Sequence, residues 1–98
     1  MKIEILEKAK EDLVSGYHFY EKQSPGLGAY FLDSLYSDID SLLLYAGIHR
    51  VIFGSHRCLS LRFPFAIYYR IEDDTVRIRA VLDCRFNPDL IRKRLKST

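Results

Sequence analysis

The residues of this chain best suited to chemistry are arginines, a tyrosine and an aspartate in its second half: Arg62, Tyr68, Arg79, Asp83 and Arg85. Metal-free RNA cleavage needs a base for the 2′-hydroxyl proton, cations for the charge developing on phosphorus, and an acid for the leaving oxygen. Arg62, Arg79 and Arg85 could supply the cations, and Tyr68 or Asp83 the proton traffic. The same groups would serve equally well as a docking surface, so enzyme and binding module both stay open. Nucleophilic catalysis has less to rest on. No Ser, Cys or Thr stands in a recognisable elbow, and His18, His49 and His56 are isolated, with no spaced carboxylate partner. With neither metal-ligand spacing nor a Gly-rich phosphate loop, no metal and no cofactor are expected. Cys58 and Cys84 read as reduced packing residues.

Positioning these side chains falls to an α+β arrangement. Lys2–Leu6 alternates as a short strand, with Ile3 and Ile5 on one face and Glu4 on the other. From about Lys8 to Lys22, Ala9, Leu13, Tyr17 and Tyr20 recur at steps of three and four, the spacing of an amphipathic helix. Ser24-Pro25-Gly26 breaks it. A second helix is expected from about Gly28 to Tyr45, with Phe31, Leu32, Leu35, Ile39, Leu42 and Leu43 as its apolar stripe, Asp33, Asp38 and Asp40 facing water, and Gly47 as the stop.

Beyond Gly47 the period falls to 2, and strands are legible at about Arg57–Phe63, Phe65–Glu72 and Thr75–Asp83, the last two joined by an Asp73-Asp74 turn. Val51–Phe53 reads as a further short strand or an ordered loop, and Pro64 belongs at a strand end or bulge. Asn87-Pro88 opens a short basic helix over Asp89–Lys96. The expected whole is an N-terminal strand and helical hairpin packed on one face of a curved, mainly antiparallel sheet, closed by a short C-terminal helix.

Strict alternation then sorts the strands into two faces. One carries Leu59, Leu61, Phe63, Phe65, Ile67, Tyr69, Ile71, Val76, Ile78, Ala80 and Leu82, and should pack under the helices. The other carries Ser60, Arg62, Tyr68, Arg70, Arg77, Arg79 and Asp83, with Arg85 just past the strand end. A charged outer face usually means solvation alone. Here arginines with almost no acid among them point instead to an anionic partner met by planar, bidentate contacts.

The composition sets bounds. The 98 residues form one domain, 1–98, and 48% apolar content is enough for a core. The formal net charge of +2 hides a division: residues 1–46 hold four basic and eight acidic side chains, residues 47–98 eleven basic and five acidic. No apolar run nears the roughly 18–20 residues a bilayer demands, and MKIEILEKAKEDL is charged where a signal peptide would be apolar. A cytoplasmic protein with no membrane partner is expected.

In order and spacing, the chain resembles the RelE/ParE superfamily of bacterial toxins from type II toxin-antitoxin modules. The resemblance spans Tyr20-Glu21, Pro25-Gly26-Leu27-Gly28 and Phe31-Leu32; then Arg62-Phe63-Pro64-Phe65 and Ile67-Tyr68-Tyr69; then Ile78-Arg79-Ala80-Val81-Leu82, Arg85, Asn87-Pro88 and Arg94. It looks most like the ParE-like, plasmid-stabilisation branch.

The resemblance implies a cognate antitoxin, encoded by an adjacent gene, that wraps and neutralises the toxin. It also implies that the exposed sheet face and the C-terminal region carry toxicity or antitoxin contact, which makes Arg62, Tyr68, Arg70, Arg77, Arg79, Arg85 and Arg94 the partner-binding candidates. RelE-like members cleave messenger RNA on the ribosome with a basic cluster, an Arg after the last strand and a C-terminal Tyr or His. Here Cys58, Ser60, Ala66 and Ile91 occupy those places and only Arg85 matches. ParE-like members inhibit DNA gyrase by surface complementarity, without catalysis, and that is the expected function. Ribosome-dependent mRNA cleavage is the alternative, with Arg85, Arg62, Tyr68 and Asp83 as catalytic candidates. An attenuated antitoxin-binding module is another, since Asp83 and Phe86 stand where ParE-like chains commonly have His and Arg.

Overall fold

A computed structural model describes residues 1–96. In chain order it contains β1 (Lys2–Ile5), α1 (Glu7–Gln23), α2 (Leu27–Asp40), α3 (Leu42–Tyr45), β2 (Val51–Ile52), β3 (Ser55–Leu59), β4 (Phe65–Glu72), β5 (Thr75–Asp83) and α4 (Pro88–Lys96). The strands form one sheet in the order β1-β5-β4-β3-β2, with β1 parallel to β5 and every other pair antiparallel. The expected α+β frame is therefore present.

The helical hairpin turns on glycines. Gly26 sits at φ 88°, where other residues are strained. A side chain at Gly28 would meet the Tyr17 carbonyl oxygen at 2.7 Å. The Glu21 carboxylate accepts the amides of Gly26 at 3.1 Å and Gly28 at 2.9 Å, satisfying donors that the start of α2 leaves open. Where the helices cross, Gly16 faces the Phe31 ring closely enough that a Cβ would lie 2.5 Å from it. Ala9, Leu13, Tyr20, Phe31, Leu35 and Ile39 then bury against Phe65, Ile67, Tyr69, Val76, Ile78 and Val81 of the sheet.

The second helix is shorter than its apolar stripe suggests. It ends at Asp40, and Leu42–Tyr45 forms a separate turn, α3. The Ser41 hydroxyl donates to the Asp38 carbonyl at 2.6 Å, a local bond that competes with the helical ladder. Asp38, expected in water, is buried and accepts the Ser60 hydroxyl at 2.7 Å. Asp33 and Asp40 are exposed as expected.

Two departures from strict alternation rearrange the faces. The strand expected at Arg57–Phe63 is Ser55–Leu59, because the chain bends over residues 61–64, up to and including Pro64. Counting back from Phe65 across that bend slips the phase by one, and such a slip exchanges the faces. Cys58 therefore packs in the core, whereas Leu59 is exposed and Leu61 is 84% exposed. Phe63, also assigned to the core, is half-buried against it, and Ile71 is exposed. Val51–Ile52 resolves as a strand, joined to β3 by Phe53-Gly54 with both residues at positive φ. Asp73-Asp74 makes the equivalent turn between β4 and β5.

The second departure is a bulge. Tyr68 pairs with Ala80 but Tyr69 pairs with Ile78, leaving Arg79 as the extra residue. Beyond it the β5 side chains exchange faces. Val81 joins the core under α1 and α2, while Ala80 and Leu82, expected there, turn to the opposite side. On that side Ala66, Tyr68, Ala80 and Leu82 meet Ile91 and Leu95 of α4 in a second, smaller core. Of the face read as polar and solvated, Tyr68 and Arg79 are buried on this side, while Arg70 stays exposed.

Candidate arginine interface

The C-terminal helix decides which arginines remain available. Its apolar residues Ile91 and Leu95 recur at an i, i+4 spacing and seat α4 on the outer sheet face. Tyr68, placed in solvent by alternation, is 2% exposed beneath it. Arg79 is 3% exposed, donating to the Ser55 hydroxyl and to the Leu95 carbonyl, each at 2.6 Å. Burial, followed by the neighbouring charge of Arg70, lowers the Arg79 pKa. Arg79 thus fastens the last turn of α4 to β3 through the bulge.

Arg94 faces the other way. Its guanidinium forks onto the Asp12 carboxylate of α1 at 2.8 and 2.7 Å, and the same carboxylate accepts the Val81 amide at 3.0 Å. Asp12 had no signal of this role in the sequence, lying among other charges of an amphipathic helix.

Arg70 and Arg77 stand opposite one another on β4 and β5. Arg70 is exposed and donates through Nε to the Gly54 carbonyl at 3.0 Å. Arg77 bridges Glu4 at 2.8 Å and Glu72 at 2.9 Å, and those carboxylates, Glu72 first, raise its pKa. Arg62 is exposed in the bend before β4.

At the end of β5 the bulge turns Asp83 toward α1, opposite to the expected face, where it is 9% exposed. Arg85 holds it from two sides: Nε reaches Oδ1 at 2.9 Å, Nη2 reaches Oδ2 at 2.6 Å, and the Arg85 amide also donates to Oδ1 at 2.8 Å. These bonds hold the Asp83 carboxyl below the usual carboxylate range, and Asp83 in return raises Arg85. Tyr20 lies against the pair. Burial raises its pKa, and the Arg85 charge pulls the other way. Beside it runs a groove of about 190 Å³ walled by Gly16, Phe19, Phe65, Val81 and Phe86, with Asp83 at its edge.

Of the residues proposed for RNA cleavage, the structure joins Asp83 and Arg85 as an ion pair, buries Tyr68 under α4, and leaves Arg62 on a loop. Among the described residues no group of His, Cys, Asp and Glu is placed to hold a metal ion, and no helix is long and apolar enough to cross a membrane. Cys58 and Cys84 are both free thiols.

The family model for the ParE toxin of the type II toxin-antitoxin system parDE matches residues 3–88. The chain belongs to this ParE toxin family. No curated protein matches the sequence. Among solved structures, one described as a chromosomal ParDE TA system from P. aeruginosa shares the fold, with a TM-score of 0.76 at 21% identity over 83% of this chain and 92% of that one. Within the toxin, the family span runs from β1 through the bulge and the Asp83–Arg85 pair to the first residue of α4.

Proposed function

We propose that this toxin arrests growth by binding DNA gyrase through Arg62, Arg70, Arg77 and Arg85, without catalysing a reaction. A cognate antitoxin encoded by an adjacent gene neutralises it by covering the same surface. The site of action is cytoplasmic, where that target resides. Arg62, Arg70, Arg77 and Arg85 present their guanidinium groups to the partner. Tyr68, Arg79 and Arg94 act behind them by seating α4.

The observation that carries this reading is the state of the would-be acid–base groups. A general base must be free to reach a proton and have a pKa near the working pH. Asp83 is held at both oxygens by Arg85 and its pKa is lowered, while Tyr68 is enclosed in the second core. Docking needs neither group. The P. aeruginosa relative is described as a ParDE TA system, which supports the antitoxin partner.

The reading is tested by inducing the chain with and without the neighbouring small gene. Arrest by the chain alone and relief on co-expression are expected. Unimpaired growth in both cultures would remove the basis of the proposal.

A further inference from the structure

On the sheet edge away from Arg85, a cluster of titratable groups takes no part in the arginine interface. Tyr69 of β4 is fully buried in the principal core. Its hydroxyl oxygen accepts the Gly47 amide at 2.9 Å and lies 2.5 Å from Nδ1 of His49. The His56 ring stacks on the Tyr69 ring with centroids 4.9 Å apart and planes 23° from parallel. Nδ1 of His56 is 2.7 Å from the His49 carbonyl oxygen, to which it must donate, since a carbonyl only accepts. Loop and sheet are thus laced together between residues 47 and 56.

One arrangement of the protons gives the buried phenolic hydrogen an acceptor. The Gly47 amide points at the phenolic oxygen, and the amides of Gly47 and His49 both oppose the burial that raises the Tyr69 pKa. Surrounded by donors, the oxygen places its own hydrogen on His49 Nδ1, so that nitrogen must be bare and the proton of the neutral ring sits on Nε2. Adding a proton to Nδ1 makes that nitrogen a donor and strips the phenolic hydrogen of its acceptor inside the core, a cost that buried polar groups do not tolerate cheaply.

Among the described residues, Asp38 is the one acid lining the groove beside His49. The groove beside His49, about 380 Å³, is lined by Tyr45 and Ile48 from the loop side, Cys58 and Leu59 from β3, and Asp38 from α2. Asp38 is already bonded to the Ser60 hydroxyl, and His56 would add like charge.

We propose that His49, Tyr69 and His56 form a proton-sensitive clasp that fastens the 46–54 segment to the sheet, closed while His49 is neutral and opened by its protonation. Opening frees Ile48 and Tyr45 and so alters one wall of the adjoining groove. Burial, then the charge of His56, lowers the His49 pKa, in keeping with a neutral ring in the closed state.

Amide hydrogen exchange on the full chain tests the clasp. Protection of the Gly47 amide, corrected for intrinsic exchange and referenced to the Ile67 amide, is expected to fall by about tenfold from about pH 7.5 to about pH 5. His49→Asn places an acceptor near the Nδ1 position that cannot titrate, and should keep the protection while flattening its pH dependence. Tyr69→Phe should leave Gly47 poorly protected at both pH values; should that variant not fold, wild type and His49→Asn decide. Constant protection in the wild type, or an unchanged pH dependence in His49→Asn, would overturn the proposal.

Discussion

Arg94 and Asp12 lie on the last and first helices of the chain and meet through a two-point fork of 2.8 and 2.7 Å, with the Val81 amide completing the carboxylate's shell. The contact closes the fold across 82 residues of sequence. It also shows why an arginine near the C-terminus need not face a partner: both side chains are largely buried, at 21% and 13% exposure. Removing one member of such a pair leaves a poorly solvated charge, and the residual exposure moderates the cost to about 2 kcal/mol. Arg94→Ala should lower the urea midpoint accordingly with little change in slope. Asp12→Ala, which also strands the Val81 amide, should lower it further.

Acid should expose the second ion pair. The Asp83 carboxyl, held down first by its bonds to Arg85, has a folded pKa below its unfolded value of about 3.9. Its contribution to stability is therefore complete above about pH 4 and is lost as pH falls through the lower folded value. Thermal melts across about pH 2–5 should show a steeper acid loss in wild type than in Asp83→Asn. Equal slopes would mean that the pair adds nothing to the folded state.

Tyr68 separates a packing role from a chemical one. Its ring belongs to the core that seats α4, so Tyr68→Ala should cost about 3–5 kcal/mol in denaturant melts. Tyr68→Phe keeps the ring and should retain growth arrest in the inducible assay. Loss of arrest in a folded Tyr68→Phe protein would indicate that the phenol takes part in chemistry.

The hairpin turn has little tolerance. Gly28→Ala would drive a Cβ against the Tyr17 carbonyl and the Glu21 side chain, and overpacking of this kind costs about 1–3 kcal/mol. Gly26→Ala meets open space, but at φ 88° it is strained in the backbone alone. Both should lower the melting temperature followed by circular dichroism, Gly28→Ala the more.

Elements were legible wherever a local period set them. The apolar steps of α1, the Pro25-Gly26 break and the Asn87-Pro88 start each follow from a few adjacent residues. What escaped depended on a distant partner. The bulge at Arg79 comes from how β5 lies against β4, and it alone moves Ala80, Leu82 and Asp83 to faces that alternation does not assign them. Asp38 reads as one more aspartate on a polar helix face until Ser60 arrives from the segment just after β3. His49 and His56 look isolated in the sequence because Tyr69, which joins them, lies on another strand. Residue type marks the arginines in the sequence; packing under α4 buries Arg79 and Asp12 takes up Arg94, while Arg62, Arg70 and Arg85 stay exposed.

The central claim, a toxin that works by docking on gyrase, is met most directly by measuring DNA supercoiling by purified gyrase with the toxin added. The account predicts that supercoiling falls with toxin concentration, that Arg85→Ala weakens the inhibition, and that the cognate antitoxin restores activity. Undiminished supercoiling at toxin concentrations well above that of the enzyme would contradict it.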